Sequence, residues 1–351
     1  MPRSSVTFGF GAHRAPLQQM LMNRVLVIRG GAIGDFILTL PALKALRDAY
    51  PFAHIEILGY KHIAALAENR FYAQAVRSIE YGPLASFFTK NSELPAELAA
   101  YFASFDLIIS YLYDPDGVFE SNLRRCGVEN LFCGPAKIVE TSGHAARQLA
   151  QPIEQLGITV ADLTEQIFLS VDDRRFAQEF LRSSLQPIVA IHPGSGSEKK
   201  NWPLENWIEL LSSKGGVSRT KRELGHVGKQ LSVIVVSGEA DKAQTAQLED
   251  VWNDPDVRFA KNLPLPQLAA VLEHTIFVGH DSGISHLAAA AGAKCILLFG
   301  PTDPNVWAPR NKNAQALRAR SSDLGDLEIV DVEAAVAAAL CSHETKNSKP
   351  N

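Results

Sequence analysis

Short apolar runs alternate with longer segments of mixed polarity along most of the chain. The runs at 24–29 (RVLVIR), 54–58, 75–79 and 107–111 are short and mainly apolar, as strands of a covered parallel sheet are. Between them, 36–49 places Phe36, Leu40, Leu43 and Leu46 at helical spacing, and 61–69, parts of 80–105, 118–126 and 145–156 read as further helices. Pro41 falls in the first turns of the 36–49 helix, where its missing N–H is tolerated, and Tyr50-Pro51 ends it. After a charged stretch at 172–182 the pattern restarts. Strands are expected at 188–191, 233–236, 257–259, 276–278 and 295–299. The intervening helices follow Pro203, with Trp207, Leu210 and Leu211 on one face, and cover 241–251, 266–274, 284–291 and, last, 331–340. Alternating β and α predicts parallel sheets covered on both faces, and the restart predicts two of them.

Length agrees: 351 residues accommodate two domains of about 150 each. The expected division is a disordered extension over 1–22, an α/β domain over 23–175, a second over 176–341 and a polar tail over 342–351. A net charge of −4 excludes a general nucleic-acid binder, which carries a basic surplus. Cys126, Cys133, Cys295 and Cys341 show no C-x-x-C spacing, which points to free thiols in a reducing compartment and to no metal site. No apolar run approaches the roughly 18–20 residues of a membrane span, and the first 22 residues hold no apolar core for a signal peptide. A cytoplasmic protein is expected. The stretch 212–230 sets Lys214, Arg219, Lys221, Arg222 and Lys229 against the single acid Glu223. It reads as a solvated insertion, or as a basic loop making peripheral contact with the inner membrane surface.

Candidate chemistry gathers at the ends of the expected strands. In 276–310 two strands flank a small-residue helix, and the polar turns 279–283 and 300–304 fall at the carboxyl ends, where such sheets bind ligands. The first turn also leads into a helix N-terminus, whose free N–H groups favour an anion. The loop 192–201 (HPGSGSEKKN) offers N–H and hydroxyl donors around Ser195 and Gly196, with Lys200 adding positive charge; its order is not that of a P-loop. Together these loops outline a diphosphate site, and Glu239, after a strand, is an acid of the kind that accepts ribose hydroxyls.

The turn Gly30–Asp35 reads G-G-x-x-G-D rather than G-x-G-x-x-G, so the dinucleotide fingerprint fails in its middle position; Glu56 lies near where a ribose-binding acid would stand. Asp35 is either a helix cap or a carboxylate facing the cleft. A metal held by His280, Asp281 and His286 is disfavoured, since Asp281 and His286 lack the i, i+4 spacing. A triad of Ser282, His286 and Asp281 is disfavoured too, because no G-x-S-x-G elbow is present.

Four stretches in their joint order resemble the ADP-heptose:lipopolysaccharide heptosyltransferases and their wider glycosyltransferase family. They are RVLVIRGGAIGDFILTLPALKALRDAYP (24–51), IHPGSGSEKKNWPLENW (191–207), VSGEADK (236–242) and VGHDSGISHLAAAAGAKCILLFGPTDP (278–304). The resemblance implies a GT-B fold, two Rossmann-like domains across a cleft, with the acceptor held by the first and a nucleotide-sugar donor by the second. It implies an inverting transfer without metal or other cofactor, onto a lipopolysaccharide core or lipid-linked oligosaccharide. It assigns the general base to Asp35, in a loop with Gly31 and Gly34, and diphosphate contacts to Ser195, Gly196 and Lys200. Glu239 would bind the ribose, and Asp281, Ser282, Gly283 and His286 would meet the sugar and diphosphate. The first loop departs from the pattern by lacking a polar Ser or Thr just before Gly34-Asp35. Two other readings stay open: a nucleotide-sugar epimerase or hydrolase on the same fold, and a non-catalytic nucleotide-binding module.

Overall fold

The computed structural model describes residues 22–211, 231–238, 241–252 and 256–347. The expected extension apart from Met22, the basic stretch 212–230 and Glu239 lie outside the described residues. The first half runs β1 (Arg24–Arg29), α1 (Ile33–Ala49), β2 (His54–Gly59), α2 (Lys61–Ala64), β3 (Ala75–Ser78), α3 (Ala96–Ala103), β4 (Leu107–Ser110), α4 (Val118–Arg125), β5 (Leu131–Cys133) and α5 (Ala145–Gln155). Its sheet is parallel in the order β3-β2-β1-β4-β5. After α6 (Val171–Phe180) come β6 (Ile188–His192), α7 (Leu204–Leu211), β7 (Ser232–Ser237), α8 (Lys242–Val251), β8 (Val257–Lys261), α9 (Leu265–Leu272), β9 (Ile276–His280), α10 (Gly283–Ala291), β10 (Lys294–Phe299), α11 (Pro304–Trp307), β11 (Ala314–Arg318) and α12 (Ile329–Asn347). This second sheet is parallel in the order β11-β10-β9-β6-β7-β8.

The strands that the apolar pattern predicted include every central strand and the edge strands β3 and β8. β6 and β9 are buried at every position and β1 at all but Arg24, because helices cover both faces. β5 (LFC) and β11 (AQALR) are missing from the sequence reading; both lie at a sheet edge, and β11 is largely exposed, so its sequence carries no continuous apolar run. The segment 61–69 is helical only over Lys61–Ala64, and the charged stretch near 172–182 is the helix α6, opened by a capping box between Ser170 and Asp173.

α1 begins three residues earlier than its apolar spacing suggests, so Pro41 sits in the helix interior rather than in its first turns. The lost backbone bond is tolerated because Phe36 to Leu43 are buried, packed on α5 within the first half and on α10 across the chain. That second contact joins the halves, and one apolar core runs from Phe36 and Leu40 to Leu287 and Ala288. It is close enough to demand glycine. A Cβ on Gly283 would stand 2.7 Å from Ile33 Cβ and 2.9 Å from Gly34 N. The joint is reinforced by Arg70 with Asp173 (2.6 Å) and by His144 Nε2 with Ala308 O (2.8 Å). α6 packs along α9, where Arg174 pairs with Glu273 (2.8 Å).

Candidate active site

In each sheet the strand order reverses once, between β1 and β4 in the first and between β6 and β9 in the second. The carboxyl ends of strands at such a reversal are where open α/β sheets bind ligands. The loop after β1 is Gly30–Ala32, and the loops after β6 and β9 are Pro193–Asn201 and Asp281-Ser282. These ends face each other: Gly34, at the start of α1, touches Gly283, at the start of α10, and a Cβ on Gly34 would lie 3.5 Å from Gly283 Cα. Three segments far apart in sequence thus form one cleft.

In the second half, Lys200 Nζ pairs with Asp281 Oδ2 at 2.7 Å, and Thr302 Oγ1 donates to the same oxygen at 2.8 Å. Asp281 is buried while Lys200 stays partly exposed, leaving the remaining N–H donors of the ammonium for a second acceptor. Ser282 caps α10, its hydroxyl accepting from Ser285 N at 3.4 Å. The N–H groups of Gly283 and Ile284 have no intrahelical acceptor and concentrate the positive end of the helix dipole at the cleft. Ser195 Oγ holds its own loop, donating to Asn201 Oδ1 (2.7 Å), while a Cβ on Gly196 would meet nothing within 4 Å.

Beneath this surface lies a buried polar layer. His280 Nε2 accepts the Trp202 N–H at 2.8 Å, which leaves Nδ1 to donate toward Gly194 O at 3.4 Å. Burial, reinforced by the neighbouring His192, pushes the His280 pKa down to about 3, so its ring is neutral. His192 Nε2 contacts Asp241 Oδ2 at 2.9 Å. Burial alone would raise the Asp241 pKa, but its hydrogen bond with His192 and the Gly238 N–H outweigh that and hold it below the ordinary carboxylate value. Gly194 is obligatory: a Cβ there would stand 1.9 Å from Asp241 Oδ1.

Across the cleft, Asp35 is at the third residue of α1 rather than at its N-cap, which is Ala32. One carboxylate oxygen accepts the Ala32 N–H (2.9 Å), and the other lies 3.7 Å from Arg29, whose buried guanidinium also bonds Asp35 O and Thr39 Oγ1. Its side chain remains 38% exposed, so the group both caps and faces solvent in the cleft. Gly31 has φ +94°, and a Cβ there would strike the Asp35 carboxylate at 2.7 Å. Beside this loop a cavity of about 250 Å³ opens at the ends of β4 and β5, lined by Leu112, Tyr113, Asp114, Glu120 and Cys133.

The structure thus gathers Gly31, Gly34 and Asp35 with Lys200, Asp281, Ser282 and Gly283 around one cleft. His286 is set differently: it is buried between the halves, with Cδ2 near Gly34 and Nδ1 3.7 Å from Glu165 Oε1, and neither of those two atoms has a hydrogen-bond partner. His192, Asp241, His280 and Thr302 did not stand out as a group in the sequence. Their one signal was position: His192 and His280 end strands, Thr302 lies in the turn after β10, and Asp241 is the N-cap residue of α8 after β7. Among the described residues, no group of three or more His, Cys, Asp or Glu is placed to hold a metal ion.

Two parallel α/β sheets with opposed carboxyl ends, a small-residue loop bearing a lysine and a capped helix N-terminus define the GT-B architecture with a nucleotide-binding half. Residues 137–336, more than half of the chain, match the model of Glycosyltransferase family 9 (heptosyltransferase), and the chain belongs to that family and is a glycosyltransferase. It is 24% identical over 313 residues to lipopolysaccharide heptosyltransferase 3 of Escherichia coli, covering 80% of this chain and 84% of that one. Among solved structures, the family 9 glycosyl transferase of Veillonella parvula superposes with a TM-score of 0.73 at 18% identity, over 93% of this chain and 99% of that one. E. coli ADP-heptose lps heptosyltransferase II gives 0.71 at 16% identity, over 92% and 99%. At those identities the structural likeness concerns the fold.

Proposed function

We propose that this protein transfers a heptose from ADP-heptose to a lipopolysaccharide core or related lipid-linked oligosaccharide, with inversion and without a metal, and that Asp35 is the general base. The observation that carries this reading is the Gly34–Gly283 contact. It brings the start of α1, which carries Asp35, against the start of α10, which follows Asp281 and Ser282, and this supports a base on one half working opposite a donor group on the other. Residues 23–175 would hold the acceptor, beside the cavity at β4 and β5, and 176–341 the donor. Relatives named for heptosyl transfer and ADP-heptose supply the sugar and nucleotide.

The acceptor oxygen attacks the anomeric carbon from the face opposite the diphosphate. The carbon–oxygen bond to the diphosphate breaks, its electron pair staying with the leaving group, and the acceptor's proton passes to Asp35. A positioned base contributes about 10²–10⁴ in rate. Negative charge developing on the leaving diphosphate is met by Lys200 and by the amides of Gly283 and Ile284, which are fixed before the reaction begins. Since Lys200 and Asp281 are paired, donor binding would draw the ammonium toward the diphosphate and free the carboxylate to accept sugar hydroxyls. Ser195, Gly196 and His286 belong to the donor side of this proposal, as does Glu239. A lipid-linked acceptor would bring the protein into peripheral contact with the inner membrane surface from the cytoplasm. Among the described residues, no helix is long and apolar enough to cross a membrane.

The test is incubation with ADP-heptose, with and without heptose-deficient core oligosaccharide, following ADP release and the anomeric configuration of the product by NMR. Acceptor-dependent release with an inverted linkage is expected. Epimerised or free sugar appearing as fast without acceptor would establish the epimerase or hydrolase reading instead.

A further inference from the structure

We propose that His192 and Asp241 are positioning residues for the donor diphosphate and act through Ser282. The inference rests on the donor-site reading above and adds a buried relay behind it. His192 closes β6, and its Nε2 meets Asp241 Oδ2 at 2.9 Å, while Nδ1, on the opposite side of the ring, faces Ser282 Oγ at 3.5 Å. The three side chains come from a strand end and two helix N-caps far apart in sequence, and His192 and Asp241 are only 4% and 5% exposed.

The order of hydrogens follows from the carboxylate. An ionised Asp241 only accepts, so Nε2 carries a ring hydrogen, and in the neutral ring Nδ1 presents a lone pair. The Ser282 hydroxyl hydrogen is then shared between Nδ1 at 3.5 Å and Ser285 Oγ at 3.3 Å. Ser285 gives its own hydroxyl hydrogen to His280 O, and a Ser282 Oγ lone pair remains for the Ser285 N–H at 3.4 Å. Anchored on both sides, Ser282 fixes the first turn of α10 and keeps the free N–H groups of Gly283 and Ile284 aimed at the diphosphate. Asp241 is itself locked, since it accepts from Gly238 N (3.2 Å) and fills the space against Gly194. Neighbouring charge does not compete: His280 is neutral, and Asp281 is paired with Lys200.

The experiment compares ADP with adenosine by calorimetry on the full chain. In His192→Gln, which keeps a donor to Asp241 but loses the contact to Ser282, ADP should bind about tenfold more weakly. Asp241→Asn should do the same, because an amide donating to Nε2 moves the ring hydrogen to Nδ1 and removes the acceptor of Ser282. Adenosine should stay within about twofold of wild type in both, since the nucleoside does not reach this turn. Ser282→Ala should lose the same factor, Ser282→Thr should restore it, and the double variant H192Q/S282A should be no worse than either single one. An unchanged ADP-to-adenosine ratio in H192Q and D241N, or full additivity in the double variant, would overturn the inference. Should H192Q fail to fold, D241N carries the same comparison. A wild-type protein that binds ADP no better than adenosine would overturn the donor reading itself.

Discussion

Replacing Asp35 by Asn separates the chemistry of this carboxylate from its structural work. The structural part is small. Asn keeps an oxygen for the Ala32 N–H, now accepted at 2.9 Å, and even Ala at a capping position costs about 1 kcal/mol. The other loss is the attraction to Arg29, 3.7 Å away. That pair is half in water on the Asp35 side, and Arg29 keeps hydrogen bonds to Asp35 O and Thr39 Oγ1, so about 1 kcal/mol is a fair upper figure. A total of about 2 kcal/mol taken from a stability of at least 5 leaves about 3, and fewer than about one molecule in a hundred unfolded. Loss of a general base lowers turnover by about 10²–10⁴. The two effects therefore differ by orders of magnitude. Initial rates of ADP release, urea unfolding and ADP affinity should be measured on the same preparations of wild type, Asp35→Asn and Asp35→Ala. Turnover should fall at least about 100-fold, with ADP affinity within about threefold. Retention of more than about a tenth of the turnover, or a parallel loss of ADP binding, would refute the assignment.

Three further outcomes follow from the geometry. Gly283→Ala places a methyl 2.7 Å from Ile33 Cβ and should cost about 1–3 kcal/mol in urea unfolding as α1 and α10 are pushed apart; unchanged stability would mean that the two helices do not meet this closely in solution. His280 has a folded-state pKa of about 3, far below the unfolded value of about 6.5. The unfolded chain therefore binds the extra proton first, and stability should fall as pH drops from about 6.5 toward 3, by up to about 1.4 kcal/mol per unit. Urea titrations at pH 7, 5.5 and 4.5 should show that slope, and His280→Gln should flatten it. The bidentate Arg70–Asp173 pair is largely shielded from water, and Asp173 also completes the capping box of α6, so Asp173→Ala should destabilise by about 2–4 kcal/mol; a loss under about 1 kcal/mol, read by denaturant, would show the guanidinium to be solvated instead.

The sequence by itself determined the order of the central strands and of most helices in both halves, because buried parallel strands such as RVLVIR are largely apolar and the helices between them are amphipathic. It also exposed the candidate loops, since Gly30–Asp35, His192–Asn201 and Gly279–Gly283 break those runs with glycine and polar residues. Edge strands β5 and β11 escaped, being half solvated and too short or too polar to leave a pattern. The early start of α1 escaped as well. Its first turn is fixed by Asp35 capping Ala32 and by contact with α10, not by apolar spacing. Only the tertiary structure decided which loops meet. It set Gly34 against Gly283, paired Lys200 with Asp281 across 81 residues, and joined His192 to Asp241 and Ser282 in a buried chain. It also turned His286 toward Glu165, in the joint between the halves. Local propensity acts over a few residues, whereas a site between two sheets depends on how their faces close, and that is set by packing along the whole core.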